Sequence, residues 1–297
     1  MSTRATRRVR QLTIAAAVAA LTVPVAAAVG SSGSRYRDRG HTYASRHWWA
    51  GRDGLTFATI KAPQGQTLVV FGHRGRRTVR LRGLAAGERV VGIDVRPANN
   101  VLYGVSSANR VFTIDPRTGQ TANAQTLSVP LNGNAFGVDF NPSVDRLRIV
   151  SDNDQNLRVN VDTGMTTSDP SLAYPAGDRN AGRDPAVTAL GYTFAALGGP
   201  TALYDVDSAT DTFDLQNPPN AGTLNSIGPI GVDVGSQAGL DIAGRDRFTA
   251  FGLFQQGNRA NLYELRFDRN GRASKPGAWL PGQYDGLAVL NAYSGRS

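Results

Sequence analysis

Gly92-Ile93-Asp94-Val95 opens a pattern that the chain repeats. Gly137-Val138-Asp139-Phe140, Gly191-Tyr192-Thr193-Phe194, Gly239-Leu240-Asp241-Ile242 and Gly286-Leu287-Ala288-Val289 each begin on glycine and enter a short apolar stretch, at spacings of 45, 54, 48 and 47 residues. A period of this length suits a propeller blade of four short strands, because each blade must bury its faces against its neighbours.

The order within each unit supports this. After Gly92 come Val101 to Val105, Val111 to Ile114, the turn Asp115-Pro116-Arg117-Thr118-Gly119 and a fourth strand toward Leu127. After Gly137 come Leu147 to Val150, Leu157 to Val161 and Asp162-Thr163-Gly164. Ala202 to Val206 precede Asp207-Ser208-Ala209-Thr210, and Leu262 to Phe267 precede Asp268-Arg269-Asn270-Gly271. Asp, Asn and Gly at these turns supply local hydrogen bonds and accept positive φ. Only one strand, Leu287 to Leu290, follows the last glycine, while Leu55 to Ile60, Leu68 to Phe71 and Val79 to Leu81 stand before the first. Joined, they make a fifth blade that ties the two ends together and removes exposed sheet edges. The expected fold is therefore all-β: a five-bladed β-propeller of four-stranded blades, with no helix of normal length.

Composition agrees. The 34 glycines and 15 prolines suit many tight turns, and the absence of cysteine excludes disulfides, thiolate metal sites and a cysteine nucleophile. The N-terminus reads separately. Arg4, Arg7, Arg8 and Arg10 precede the uncharged apolar run Leu12 to Val29, and Ala26-Ala27-Ala28 offers small residues for cleavage. Residues 1–28 are thus expected to be a cleaved signal peptide, making the protein secreted or extracytoplasmic. An uncleaved membrane anchor and twin-arginine export through Arg7-Arg8 are the alternatives.

Residues 29–52 carry Arg35, Arg37, Arg39, Arg46 and Arg52 against Asp38, with Tyr36, Tyr43, Trp48 and Trp49 among them. They read as a flexible tether, or as an arm touching anionic envelope polymer or headgroups. With this arm and the leader set aside, the formal charge of +9 for the whole chain falls to +1 for residues 53–297. That balance argues against nucleic acid as a partner.

Several longer strings carry a resemblance. Gly92-Ile93-Asp94-Val95-Arg96-Pro97, Val144-Asp145-Arg146-Leu147-Arg148-Ile149-Val150-Ser151-Asp152 and Gln155-Asn156-Leu157-Arg158 are three of them. Ala173-Tyr174-Pro175-Ala176-Gly177-Asp178-Arg179-Asn180-Ala181-Gly182 and Asn217-Pro218-Pro219-Asn220-Ala221-Gly222-Thr223-Leu224-Asn225 are two more. Together they resemble the bacterial secreted family called domain of unknown function 4394, over roughly Leu55 to Leu290. The resemblance implies a propeller-like fold and an extracytoplasmic setting, and it brings no activity or catalytic residue.

Three histidines, His41, His47 and His73, and no Gly-x-Ser-x-Gly string leave little basis for triad chemistry or a zinc site. Calcium has some basis: Asp152, Asn153, Asp154 and Asn156 gather oxygens in one loop, and Asp205, Asp207 and Asp211 in another, although neither has EF-hand spacing. Hydrogen-bonded turns explain both loops more simply, and no cofactor is expected. Asp94, Asp139 and Asp241 recur on the innermost strands. They either face the axis and bind a cation or basic ligand, or cap backbone N–H groups; Thr193 and Ala288 in the other two units favour capping.

The densest polar motif offers Arg146, Arg148, Asp152, Asn156 and Arg158, with Asp178 and Asn180 on a long loop as a second wall. Arg148 and Arg158 on adjacent strands can clamp a carboxylate or sugar acid, or simply staple blades through Arg–Asp pairs. The leading expectation is a monomeric, extracytoplasmic binding or scaffold module for a small molecule, glycan or protein. A hydrolase or lyase acting on carbohydrate or phosphoester through Asp and Arg side chains, and an envelope-attached structural protein, are the competing readings.

Overall fold

A computed structural model describes residues 54–72, 75–245, 248–274 and 276–292. The signal peptide and the arm read from the sequence lie outside the described residues. Five antiparallel sheets are present. Blade 1 holds β1 (Thr56–Ala62), β2 (Thr67–Gly72) and β3 (Gly75–Arg80). Blade 2 holds β4 (Val90–Arg96), β5 (Val101–Ser106), β6 (Arg110–Ile114) and β7 (Thr121–Thr126). Blade 3 follows with β8 (Phe136–Asn141), β9 (Arg146–Ser151), β10 (Asn156–Val159) and β11 (Thr166–Ser168). Blade 4 has β12 (Val187–Tyr192), β13 (Leu203–Asp207), β14 (Thr212–Gln216) and β15 (Leu224–Pro229). Blade 5 has β16 (Ala238–Ala243), β17 (Thr249–Gln256), β18 (Arg259–Arg266) and the short β19 (Arg272–Ala273), with β20 (Ala278–Pro281) also paired to β18. The last strand, β21 (Gln283–Val289), returns to blade 1 as its innermost member beside β1. The only helical turns among the described residues are 3-10 turns at Pro219–Ala221 and Phe267–Arg269.

The five inner strands touch in cyclic order β4, β8, β12, β16 and β21, and β21 meets β4 again. The structure is thus the five-bladed propeller read from the repeat, closed by N-terminal strands plus one C-terminal strand. The closure is stitched by register pairs such as Phe57↔Val289 and Ala58↔Ala288. Thr59 adds its hydroxyl, donated to the carbonyls of Gly286 (2.7 Å) and Asp285 (3.1 Å).

The glycine repeat has a steric cause. Near the axis the inner strands converge so closely that a Cβ on Gly239 would lie 2.4 Å from the Gly286 carbonyl carbon. Farther out, the blades separate and large side chains fill the space. Phe57 meets Phe251 edge-on across blades 1 and 5 at 5.1 Å, and Tyr103 meets Phe140 across blades 2 and 3 at 5.3 Å. Burying a phenylalanine contributes about 1.5–3 kcal/mol, so the repeated interblade layers stabilise the ring without crosslinks.

Candidate functional site at the propeller axis

Asp94 on β4, Asp139 on β8 and Asp241 on β16 converge on the axis. One oxygen from each lies within 4.8 Å of the others, and the three residues are 1–2% exposed. Each carboxylate also caps the next inner strand. The N–H of Phe140 donates to Asp94 at 2.8 Å, that of Tyr192 to Asp139 at 3.2 Å, and that of Val289 to Asp241 at 2.5 Å. One oxygen of each aspartate therefore staples the neighbouring blade while the three side chains gather at the axis. Asp94 Oδ1 and Asp241 Oδ1 are buried without a partner.

Electrostatics follow from that burial. Desolvation, and then the charge of Asp241, push the Asp94 carboxyl well above its ordinary range. Asp139 is pushed up by burial and by Asp94 and Asp241. Asp241 is raised to about 7 by burial, although the N–H groups of Val289 and Ile242 favour its charged form.

The capping pattern corrects the register of one repeat unit. Tyr192 caps Asp139 as Phe140 caps Asp94, and Gly191 pairs with Tyr204 as Asp139 pairs with Arg148. Gly191, and not Thr193, therefore occupies the aspartate position in blade 4. Thr193 lies beyond β12, where its hydroxyl accepts the N–H of Ala202 at 2.9 Å. The prominent glycine drew the sequence register two residues along the strand, a displacement of about 7 Å. The axial ring thus comprises three aspartates with Gly191 and Ala288, and these two small residues leave room for the carboxylates.

Above the ring, on the face where β4, β8 and β16 begin, opens a funnel of about 180 Å³ lined by Arg89, Asn134, Phe136, Gln237 and Asp285. Burial lifts the Asp285 carboxyl to about 6, with Arg89 pulling the other way. A neck of about 10 Å³, bordered by Gly92, Gly137, Gly239 and Gly286, shares Phe136 and Ala238 with the funnel. The neck volume is that of one water-sized sphere.

The dense polar motif is placed differently from a ligand clamp. Arg148 and Arg158 are direct cross-strand partners on β9 and β10. Both are taken up by a residue that the sequence reading did not name, Asp169, whose Oδ2 accepts from each at 2.7 Å. Arg148, 1% exposed, also donates to Asn156, Asn220 and Tyr192. Desolvation works against the Asp169 charge, but the Arg158 and Arg148 guanidiniums prevail and hold its carboxyl below the usual range.

The remaining residues of that motif bond elsewhere. Asp178 and Asn180 meet at Ser226, Asp152 accepts the N–H of Asn134, and Arg146 donates to the carbonyl of Asp145. The hydrogen bonds therefore divide these residues among separate groups. Asn220 belongs to the Asn217-Pro218-Pro219-Asn220 string, which was its signal; Asp169 has no counterpart in the repeat. Of the two oxygen-rich segments, Asp207 and Asp211 are occupied by turn and loop donors such as Ala209 N–H and Val234 N–H.

A family model described as "Domain of unknown function (DUF4394)" matches residues 70–288. No curated protein matches the chain. Among solved structures, the chain is similar to a protein from Lactobacillus plantarum, with 16% identity over 78% of this chain and 70% of the other and a TM-score of 0.41. It is also similar to a protein of unknown function from Bacteroides thetaiotaomicron, at 14% identity and a TM-score of 0.44, covering 74% of this chain and 57% of that one. A functionally unknown protein from Desulfotomaculum acetoxidans matches at 17% identity and a TM-score of 0.38, covering 75% of this chain and 69% of its own.

Proposed function

Because the chain belongs to the DUF4394 family, whose description assigns no function, we propose from its geometry that it is a non-catalytic, extracytoplasmic binding module with a divalent cation seated on its axis. The observation that carries this is the convergence of Asp94, Asp139 and Asp241 on oxygens within 4.8 Å of one another, two of them carrying a buried oxygen without a partner. Among the described residues no Lys or Arg forms an ion pair with any of the three. A desolvated carboxylate group of this kind must take up protons or a counter-cation. Oxygen-only donors favour a hard cation such as calcium, which extracellular modules bind at about 10⁻⁴–10⁻³ M. The funnel above the ion is the place for a small ligand to dock, and the cationic start followed by Leu12 to Val29 supports export.

A non-catalytic role is supported by the self-satisfaction of the polar motif: Asp169 already occupies the Arg148 and Arg158 forks that a substrate carboxylate would need. The test is calorimetric titration of metal-stripped protein with calcium and manganese, alongside Asp139→Asn. Cation binding with proton release in the wild type, with one binding event weakened at least tenfold in the variant, is the expected result. Equal binding by both proteins would remove the axial site, and turnover of carbohydrate or phosphoester substrates lost in the variant would replace binding by hydrolysis.

A further inference from the structure

We propose that a second divalent-cation site, suited to calcium, lies between blades 3 and 4 and is built from Asp205, Asp214 and Gln216. Asp205 on β13 stands directly opposite Asp214 on β14. Gln216 follows two residues later on β14, on the same face as Asp214. All three are fully buried. That face looks toward blade 3, where the Gln216 amide reaches Asn156 on β10 and Arg148 on β9 acts electrostatically on Asp205.

The hydrogen-bond inventory separates occupied atoms from unoccupied ones. Asp207 on the same face is saturated, accepting from Tyr174, Ala186, Ala209 and Thr210. Asp214 Oδ2 accepts from Thr212 at 3.1 Å and lies 3.0 Å from the Tyr174 hydroxyl, whose one proton it shares with Asp207. Both oxygens of Asp205, Oδ1 of Asp214 and Oε1 of Gln216 have no partner. The Gln216 amide cannot turn to relieve this. Its Nε2 donates to the carbonyl of Pro219 at 2.6 Å, so a flip would set oxygen against oxygen. With both carboxyls ionised, three side chains on one buried face present four oxygens as acceptors and no donor, which is the complement of a metal ion. Two carboxylates, one of them free to bind through both oxygens, and an amide carbonyl suit calcium.

Charge balance points the same way. The interblade layer holds Asp169, Asp205, Asp207 and Asp214 against Arg148 and Arg158. Arg148 is committed to Asp169 at 2.7 Å and to Asn220 at 2.7 Å, and forms no ion pair with Asp205. A divalent ion restores neutrality. Asp154 and Asp184, in the loops at the end of this layer, interact with each other, and Asp154 also feels the charge of Asp207. Asp205 belonged to an oxygen-rich segment already visible in the sequence; Asp214 and Gln216 complete it.

The site is independent of the axial one, and the test keeps the two apart. Calcium binding and melting temperature are measured on the metal-stripped chain, on Asp139→Asn, on Asp205→Asn and on the double variant. The expected result is calcium binding that persists in Asp139→Asn and disappears in the double variant. Asp205→Asn should also melt higher than the wild type without calcium, because a buried charge has been removed, and should lose most of the calcium-dependent rise. Should Asp205→Asn fail to fold, Gln216→Met is measured instead, with at least tenfold weaker binding expected. Loss of all calcium binding in Asp139→Asn alone, or wild-type binding in Asp205→Asn or Gln216→Met, would overturn the interblade site without touching the axial one. No calcium binding by the wild type would overturn both.

Discussion

Arg148 and Asp169 form an ion pair of 2.7 Å with only 1% and 6% of their side chains exposed, sealed between two blades. Removing Arg148 leaves Asp169 with Arg158 alone and takes a charged donor from the buried Asn156 and Asn220 oxygens, which costs about 1–3 kcal/mol. Arg148→Met should lower stability by that amount in urea denaturation. Arg158 binds the same carboxylate but is 33% exposed, so solvent screening leaves Arg158→Met costing under about 1 kcal/mol. Equal losses would mean that the two arginines share the load.

The glycines near the axis act through backbone proximity. In Gly239→Ala the new methyl would sit 2.4 Å from the Gly286 carbonyl carbon, where neither backbone has room to move. Overpacking of this kind costs about 1–3 kcal/mol. Gly235→Ala, with nothing within 4 Å of the added carbon, should lie within about 0.5 kcal/mol of wild type by the same denaturation assay.

Stability of the metal-free protein should fall as pH rises from about 4 to about 7. Asp214 and Asp241 are each raised to about 7 from an ordinary 3.8, both chiefly by burial. Across that window the folded state holds protons that the unfolded chain has released, so raising the pH favours unfolding. Carboxyls held low by partners, such as Asp169 and Asp178, act oppositely, but their contribution is lost only as pH falls below 3.8. Urea midpoints at pH 5 and pH 8 in EDTA measure the difference, and saturating calcium should reduce it by supplying positive charge in place of protons. A midpoint that rises toward pH 8 in EDTA would contradict the raised values.

Ring closure rests on one strand. A chain ending at residue 282 lacks β21, which is the innermost strand of blade 1 and the contact between β16 and β4. It should lose cooperative thermal unfolding in circular dichroism. Thr59→Val, which removes only the hydroxyl to Gly286 and Asp285, should keep cooperativity and cost about 1 kcal/mol.

The architecture was legible because its cause is local and periodic. Inner strands need small residues near the axis, outer turns need Asp, Asn and Gly, and both demands recur once per blade. The positions of Asp94, Asp139 and Asp241 could be read from that same period. Blade 4 escaped it: a run of Val187-Thr188-Ala189-Leu190 carries no glycine at the point of closest approach, and Gly191 supplied a false landmark two residues on. Asp214 and Gln216 escaped for another reason. Thr212, Asp214 and Gln216 alternate with Phe213 and Leu215, a pattern that ordinarily marks a solvent face, yet here the polar face is fully buried against blade 3.

Blade number, strand order, the closing strand and the three recurring aspartates all follow from spacing along the chain, since the same pattern returns once per blade. Which oxygens end up satisfied does not. Asp169 reaching Arg148 and Arg158, Tyr192 capping Asp139, and Asp205 left beside Asp214 and Gln216 without a donor depend on how one blade's face meets the next, a contact between residues far apart in sequence that no local pattern encodes.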